Sequence, residues 1–189
     1  MDSTRSRILS IGLSAFAARG YSGAGIQELC EGAAITKPTL YYYFGSKRGL
    51  LEAIATERYA PFVHSVAADG VYRSDIAGAL VSVMDCFLGS ARRDPDFARL
   101  RLSLAFSPPA SEEHAVFRPF TEELYTVMRS FFSAAAEDHG NIRGRELAYS
   151  ASFIGTADAY TGLLLAGAMD PDTAVVRRIV HFFMHGIFS

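Results

Sequence analysis

Fifteen residues, TKPTLYYYFGSKRGL from Thr36 to Leu50, limit the fold more than any other stretch of this 189-residue chain. They read as a very short helix, a Gly-Ser break and the start of a longer helix. Thr36 is placed as an N-cap, and Lys37 and Pro38 follow as first-turn residues, where a proline loses no hydrogen bond because that N–H is unpaired anyway. Thr39 to Phe44 supplies about two turns. Gly45 suits the C-terminal stop, and Ser46 caps the next helix. Three consecutive tyrosines, Tyr41, Tyr42 and Tyr43, cannot all be buried on so short a helix. Upstream, IQELCEGAAI (26–35) sets Ile26, Leu29, Cys30 and Ala33 at i, i+3, i+4 and i+7, one apolar helical face, and a small-residue corner, Gly32-Ala33-Ala34, follows. Helix, tight corner and a second short helix with a basic start is the layout of a helix-turn-helix, whose second helix enters the major groove of DNA.

Residues 4 to about 64 resemble the DNA-binding domain of the tetracycline-repressor (TetR) family. The matching text is RILSIGLSAFAARGY (7–21) and IQELCEGAAITKPTLYYYFGSKRGLLEAI (26–54). Two positions depart from the pattern. Gly25 stands where the family usually has Ser or Thr, which weakens a cap by a few tenths of a kcal/mol. Ala34 replaces the usual turn glycine, and an alanine there calls for a turn that avoids strongly positive φ. The expected fold is all-α: an N-terminal three-helix helix-turn-helix head (4–64) and a C-terminal helical bundle body (70–189), about nine helices in all.

Charge is distributed to match. The chain carries a net −2, yet residues 1–60 hold seven Lys/Arg against five Asp/Glu, and the only lysines, Lys37 and Lys47, both lie in the motif. A basic bias confined to the N-terminal third suits a DNA-contacting head. Cys30 and Cys86 fall within apolar helices and read as small buried hydrophobes of a reducing compartment. The N-terminus lacks an apolar signal region, and no run of about 18 apolar residues occurs, so a cytoplasmic protein is expected.

Protein–DNA contacts go mostly to phosphates, from Lys, Thr, Tyr and helix N-termini. The resemblance implies phosphate contacts at Lys47 and Tyr41. Thr39 and Tyr43 support them. Base edges are within reach of Gln27 on the second helix and of Thr36, Lys37, Pro38 and Tyr42 at the start of the third. Lysine donates to guanine O6/N7, glutamine pairs with adenine, and Pro or a Thr methyl touches a thymine methyl.

Helix 1 runs from a Ser3 or Thr4 cap to about Arg19, ended by Gly20. Helix 4 carries Leu50, Leu51, Ile54 and Tyr59, with Pro61 as a potential kink. From about Ser74 the pattern is wholly helical. Ile76, Leu80, Val83, Met84 and Phe87 form the stripe of helix 5. Phe97–Phe106 is a short helix 6. Helix 7 is capped by Ser111, with Pro119 predicting a kink or late start. Helix 8, about 144–168, carries aromatics on one face and, on another, a seam of small residues: Ala148, Ser152, Gly155, Ala159, Gly162 and Ala166. Helix 9, about 171–188 and capped by Asp170, presents Val175, Ile179, Phe182 and Phe183. Two adjacent helices with more apolar surface than one core can use predict a homodimer closed by a four-helix bundle.

Aromatic stripes in the body are ordinary core at this spacing. The family resemblance implies an effector cavity among helices 5 to 8, lined by Met84, Phe87, Phe106, Leu124, Met128, Phe153, Thr156 and Tyr160. Few ionisable residues share those faces, so the implied effector is an apolar or aromatic small molecule. His181 and His185, an i, i+4 pair, lack a spaced carboxylate or cysteine and are placed in solvent or at a dimer rim rather than on a metal.

Together with these features, the resemblance implies a sequence-specific DNA-binding regulator, a homodimeric ligand-responsive repressor on a palindromic operator. Two alternatives stand beside it: a DNA-binding regulator without an effector, and an all-helical carrier or enzyme. The sequence offers the latter no nucleophile–base pair, phosphate loop or metal cluster, and no cofactor is implied.

Overall fold

A computed structural model describes residues 3–170 and 172–186. Among these the secondary structure is helical throughout, in nine helices. They are α1 (Ser3–Gly23), α2 (Ile26–Gly32) and α3 (Lys37–Phe44). In α4, Lys47–Ile54, a π-helical turn Ala55–Tyr59 and Ala60–Asp69 follow one another without a break. Then come α5 (Ile76–Arg93), α6 (Pro95–Leu104), α7 (Glu112–Asp138), α8 (Glu146–Leu165) and α9 (Thr173–His185). No described helix is long and apolar enough to cross a membrane.

Local chemistry explains most of the ends. Gly20 breaks α1 with φ 74° and ψ 162°, but the helix resumes to Gly23 instead of stopping at Arg19. Gly45, at φ 72°, closes α3, a conformation glycine adopts without penalty. Ser46 Oγ accepts the Gly49 N–H at 2.9 Å and caps α4. Ser46→Ala should lower stability by about 1 kcal/mol, read from the urea midpoint at unchanged slope. Thr36 occupies the N-cap of α3 without a side-chain cap bond, because its hydroxyl pairs with that of Thr39 at 3.0 Å. At α9 the cap is Asp172, whose Oδ1 accepts the Val175 N–H at 2.8 Å, and not Asp170. Asp170 instead accepts from Arg92. The expected ends of this helix at Pro171 and Phe188 lie outside the described residues. Pro119 lies within α7, which begins at Glu112 rather than late. The π turn precedes Pro61 by one turn, where a widened helix accommodates a ring that would crowd the Glu57 carbonyl.

The chain divides into two compact units, and their boundaries differ from those the sequence suggested. One joins Met1–Pro61 to Asp94–Thr121; the other joins Phe62–Arg93 to Glu122–Ser189. In the first, α1 is central and packs on α2, α4 and α6. Ile8, Leu9, Phe16, Leu29, Leu40, Leu50, Leu51 and Ile54 form its core. Tyr59 stacks on Phe120 at 5.5 Å and meets Phe97 edge-on at 5.8 Å, so α6 and the start of α7 complete this unit. In the second, α5 packs against α8 and α9. Phe132 stacks on Tyr149, and Phe153 meets Phe183 edge-on at 5.1 Å. Cys86 is buried there, which pushes its thiol up to about 11, so it stays protonated at neutral pH.

Candidate nucleic-acid interface

The helix-turn-helix is assembled from α2, α3 and the corner between them. Leu40 is fully buried and fixes the inner side of α3. Arg5 of α1 sets its guanidinium 5.4 Å from the centre of the Phe44 ring, bracing the far end. Arg7 Nε donates to the Ala33 carbonyl at 2.9 Å and holds the corner. Ala34 itself adopts φ 49°, so the turn takes the left-handed conformation that an alanine was expected to avoid. The strain is of order 1 kcal/mol, and the Arg7 bond together with Ile35 N–H donating to Cys30 O at 3.0 Å offsets it.

With the inner side fixed, the opposite face is polar and aromatic. Gln27, Thr36, Lys37, Pro38 and Tyr41 are exposed, and Tyr42 is 83% exposed. Thr39 and Tyr43 are half-buried beside them, with the Tyr43 ring edge-on to Tyr42 at 5.1 Å. Gln27 donates its amide N–H to Glu31 Oε1 at 2.9 Å. All eight of these sequence-predicted residues are therefore exposed or half-buried.

Lys47, the ninth, is engaged. Its Nζ lies 4.4 Å from the centre of the Tyr21 ring and 5.9 Å from that of Phe16. Tyr21 donates its hydroxyl to Glu112 Oε2, in the first turn of α7. Burial pulls the Lys47 ammonium below its ordinary range, and the Glu112 and Glu113 carboxylates act against that. The same burial, followed by the bond to Glu112, pushes the Tyr21 phenol upward. A cation poised at a helix start, between two aromatic rings and two carboxylates, can exchange those partners for a phosphate. Tyr21 and Glu112 lie 91 residues apart, so only the fold reveals their contact.

A sequence profile described as bacterial regulatory proteins, tetR family, matches residues 8–54, the span that builds this face. Over that span the chain matches the family's profile. Its likeness to the HTH-type transcriptional regulator SrpR of Pseudomonas putida is 31% identity over 74 residues, 39% of this chain and 35% of SrpR. The chain spans about a third of that relative's length. Among solved structures it is similar to a TetR-family transcriptional regulator from Bordetella parapertussis, with TM-score 0.80 and 19% identity, covering 99% of this chain and 97% of the other. FadR of Bacillus subtilis in complex with stearoyl-CoA superposes with TM-score 0.78 at 17% identity, covering 96% and 98%. These structural likenesses establish the family's fold along the whole chain.

The residues expected around an effector behave unevenly. Met84, Phe87, Leu124, Met128 and Phe153 are buried in the second unit. Thr156 donates its hydroxyl to Ser152 O of its own helix, and Tyr160 is half-buried. Phe106 differs from the others: it follows α6 in a turn and is 92% exposed. On the expected pairing face, Ala148, Ser152, Gly155, Ala159 and Ala166 are exposed and Gly162 is half-buried. A Cβ added at Gly155 or Gly162 would meet nothing within 4 Å. From α9, Phe182 is 57% exposed and Val175 half-buried. Ile179 is buried within its own chain, and Phe183 is turned onto Phe132 and Phe153. Those two serve the chain's own core, because α9 directs its most apolar side toward α5.

Proposed function

We propose that this protein is a sequence-specific DNA-binding transcriptional regulator, a repressor acting as a homodimer on a palindromic operator. The observation that carries the reading is a rigidly backed α3 that turns Lys37, Pro38 and Tyr42 outward while Lys47 waits at the next helix start. Two such heads on successive major grooves would stand about 34 Å apart. The exposed seam Ala148, Ser152, Gly155, Ala159 and Ala166, together with Phe182, supports pairing of α8 and α9 with a second copy. Small residues at that spacing allow close helix approach, and Leu147 and Leu163 extend the apolar strip. Selection of bound duplexes from random DNA, with native mass measurement of the complex, tests both parts. Recovery of a two-fold symmetric motif by a dimer is expected; a monomer on unrelated sequences would remove the reading.

An apolar or aromatic small-molecule effector is part of the proposal. It would act by favouring one arrangement of the Met84, Phe87, Leu124, Met128 and Phe153 cluster, changing DNA affinity by its differential binding energy. A regulator with a filled body and no effector is favoured by the burial of those five side chains. A ligand that raises the melting temperature and lowers operator affinity together decides for the first.

Neutralising the acidic neighbours should release Lys47. The double substitution Glu112→Gln and Glu113→Gln is expected to tighten DNA binding roughly threefold to tenfold at low salt, with a smaller gain at high salt. Weaker or equal binding would show that those carboxylates do not compete for the ammonium.

A further inference from the structure

We propose that a cleft between the start of α5 and the outer flank of α9 binds a small amphipathic organic anion, a carboxylate carrying a short apolar chain. The inference goes beyond the regulator reading and does not depend on it. The cleft has a volume of about 580 Å³, within the range of small-molecule sites. Its α9 wall carries Arg177, His181 and His185, each four residues after the last and so about 6 Å further along the helix. The two imidazoles lie 4.5 Å apart. None of the three makes a hydrogen bond or ion pair with another described residue.

The facing α5 wall leaves this basic ladder open. Asp75 is the one carboxylate that lines the cleft, and its Oδ1 is committed to the Gly78 N–H at 2.9 Å as a helix cap. Gly78 offers no side chain, and the Ser82 hydroxyl is turned onto the Gly78 carbonyl. Val81, Val180 and Met184 form the apolar part of the lining. One guanidinium and two imidazole N–H donors beside an apolar floor match a carboxylate head and a hydrocarbon tail. The two histidines are joined by no third His, Cys, Asp or Glu placed to hold a metal among the described residues. Phe182, the exposed aromatic of α9, lies about 100° around the helix from His181 and about 140° from Arg177, so it is outside the lining of the cleft.

Octanoate is titrated into the full chain at neutral pH, and the ring-proton NMR signals of His181 and His185 are followed, assigned with His181→Gln and His185→Gln. A saturable shift of both signals is expected. Arg177→Gln should weaken binding about tenfold, and the exposed position of Arg177 keeps the fold intact, checked by an unchanged melt. Met184→Gln should weaken it severalfold, and acetate and inorganic phosphate should each bind at least tenfold less tightly than octanoate. No saturable shift, wild-type affinity in the Arg177→Gln protein, or phosphate binding as tightly as octanoate would each overturn the proposal.

Discussion

Lys47→Ala is expected to weaken binding to every duplex, operator or not, by roughly tenfold near physiological salt. The slope of log affinity against log salt should flatten by about one unit, the signature of one lost phosphate contact. The reasoning begins from place. Lys47 opens α4 directly after the Gly45-Ser46 break, so it stands beside the recognition helix without being part of it. Its ammonium rests against the Tyr21 and Phe16 rings, which restricts its rotamers before any DNA arrives. A restricted cation gives up less side-chain entropy on contact than one waving in solvent. Substitutions at base-reading positions differ in kind: Lys37→Ala should cost about 1–3 kcal/mol at one base pair and relax preference there. If Lys47→Ala left the salt slope unchanged while Lys37→Ala flattened it, the roles of the two lysines would have to be exchanged.

Phe153→Ala should lower stability by about 3–5 kcal/mol. Phe153 is fully buried on α8 and packs edge-on against Phe183 of α9. Phe183 also contacts Phe132 of α7, so one ring links three helices of the second unit. Truncation removes the ring's transfer free energy and leaves a void that rigid helices fill poorly. A domain of this kind has about 5–15 kcal/mol in all, so the loss is a large part of the total. Urea unfolding measures it. A loss under about 1 kcal/mol would mean that neighbouring side chains collapse into the gap. Phe182→Ala is a built-in contrast, since that ring is mostly exposed in the single chain and should matter for pairing instead.

What could be read in the sequence was whatever is local. The caps at Ser46 and the stop at Gly45, the stripe of α5 and the open face of α3 all follow from spacing and turn chemistry, and the structure has them. The burial of Leu40 beneath three exposed or half-exposed tyrosines was likewise implicit in a short helix. Errors arose where distance along the chain separates partners. Nothing in Ala105-Phe106-Ser107 distinguishes a buried ring from one in an exposed turn. Ile179 and Phe183 look as available as Phe182 until α5 and α7 are placed beside them. The shift of cap from Asp170 to Asp172 reflects two carboxylates two residues apart, of which one is drawn to Arg92. The Tyr21–Glu112 bond and the seat it gives Lys47 had no sequence signature at all. The left-handed Ala34 was missed because its brace, Arg7, comes from α1.

The interleaving of the two compact units has a consequence during synthesis. The DNA-binding part draws on residues 94–121 as well as residues 1–61. A ribosome must therefore release α6 before α1, already packed on α2 and α4, has all of its neighbours. For that interval the side of α1 that packs on α6 stays uncovered on the nascent polypeptide, a target for chaperones and proteases alike. Shortened versions ending near residue 64 would remain permanently at that stage.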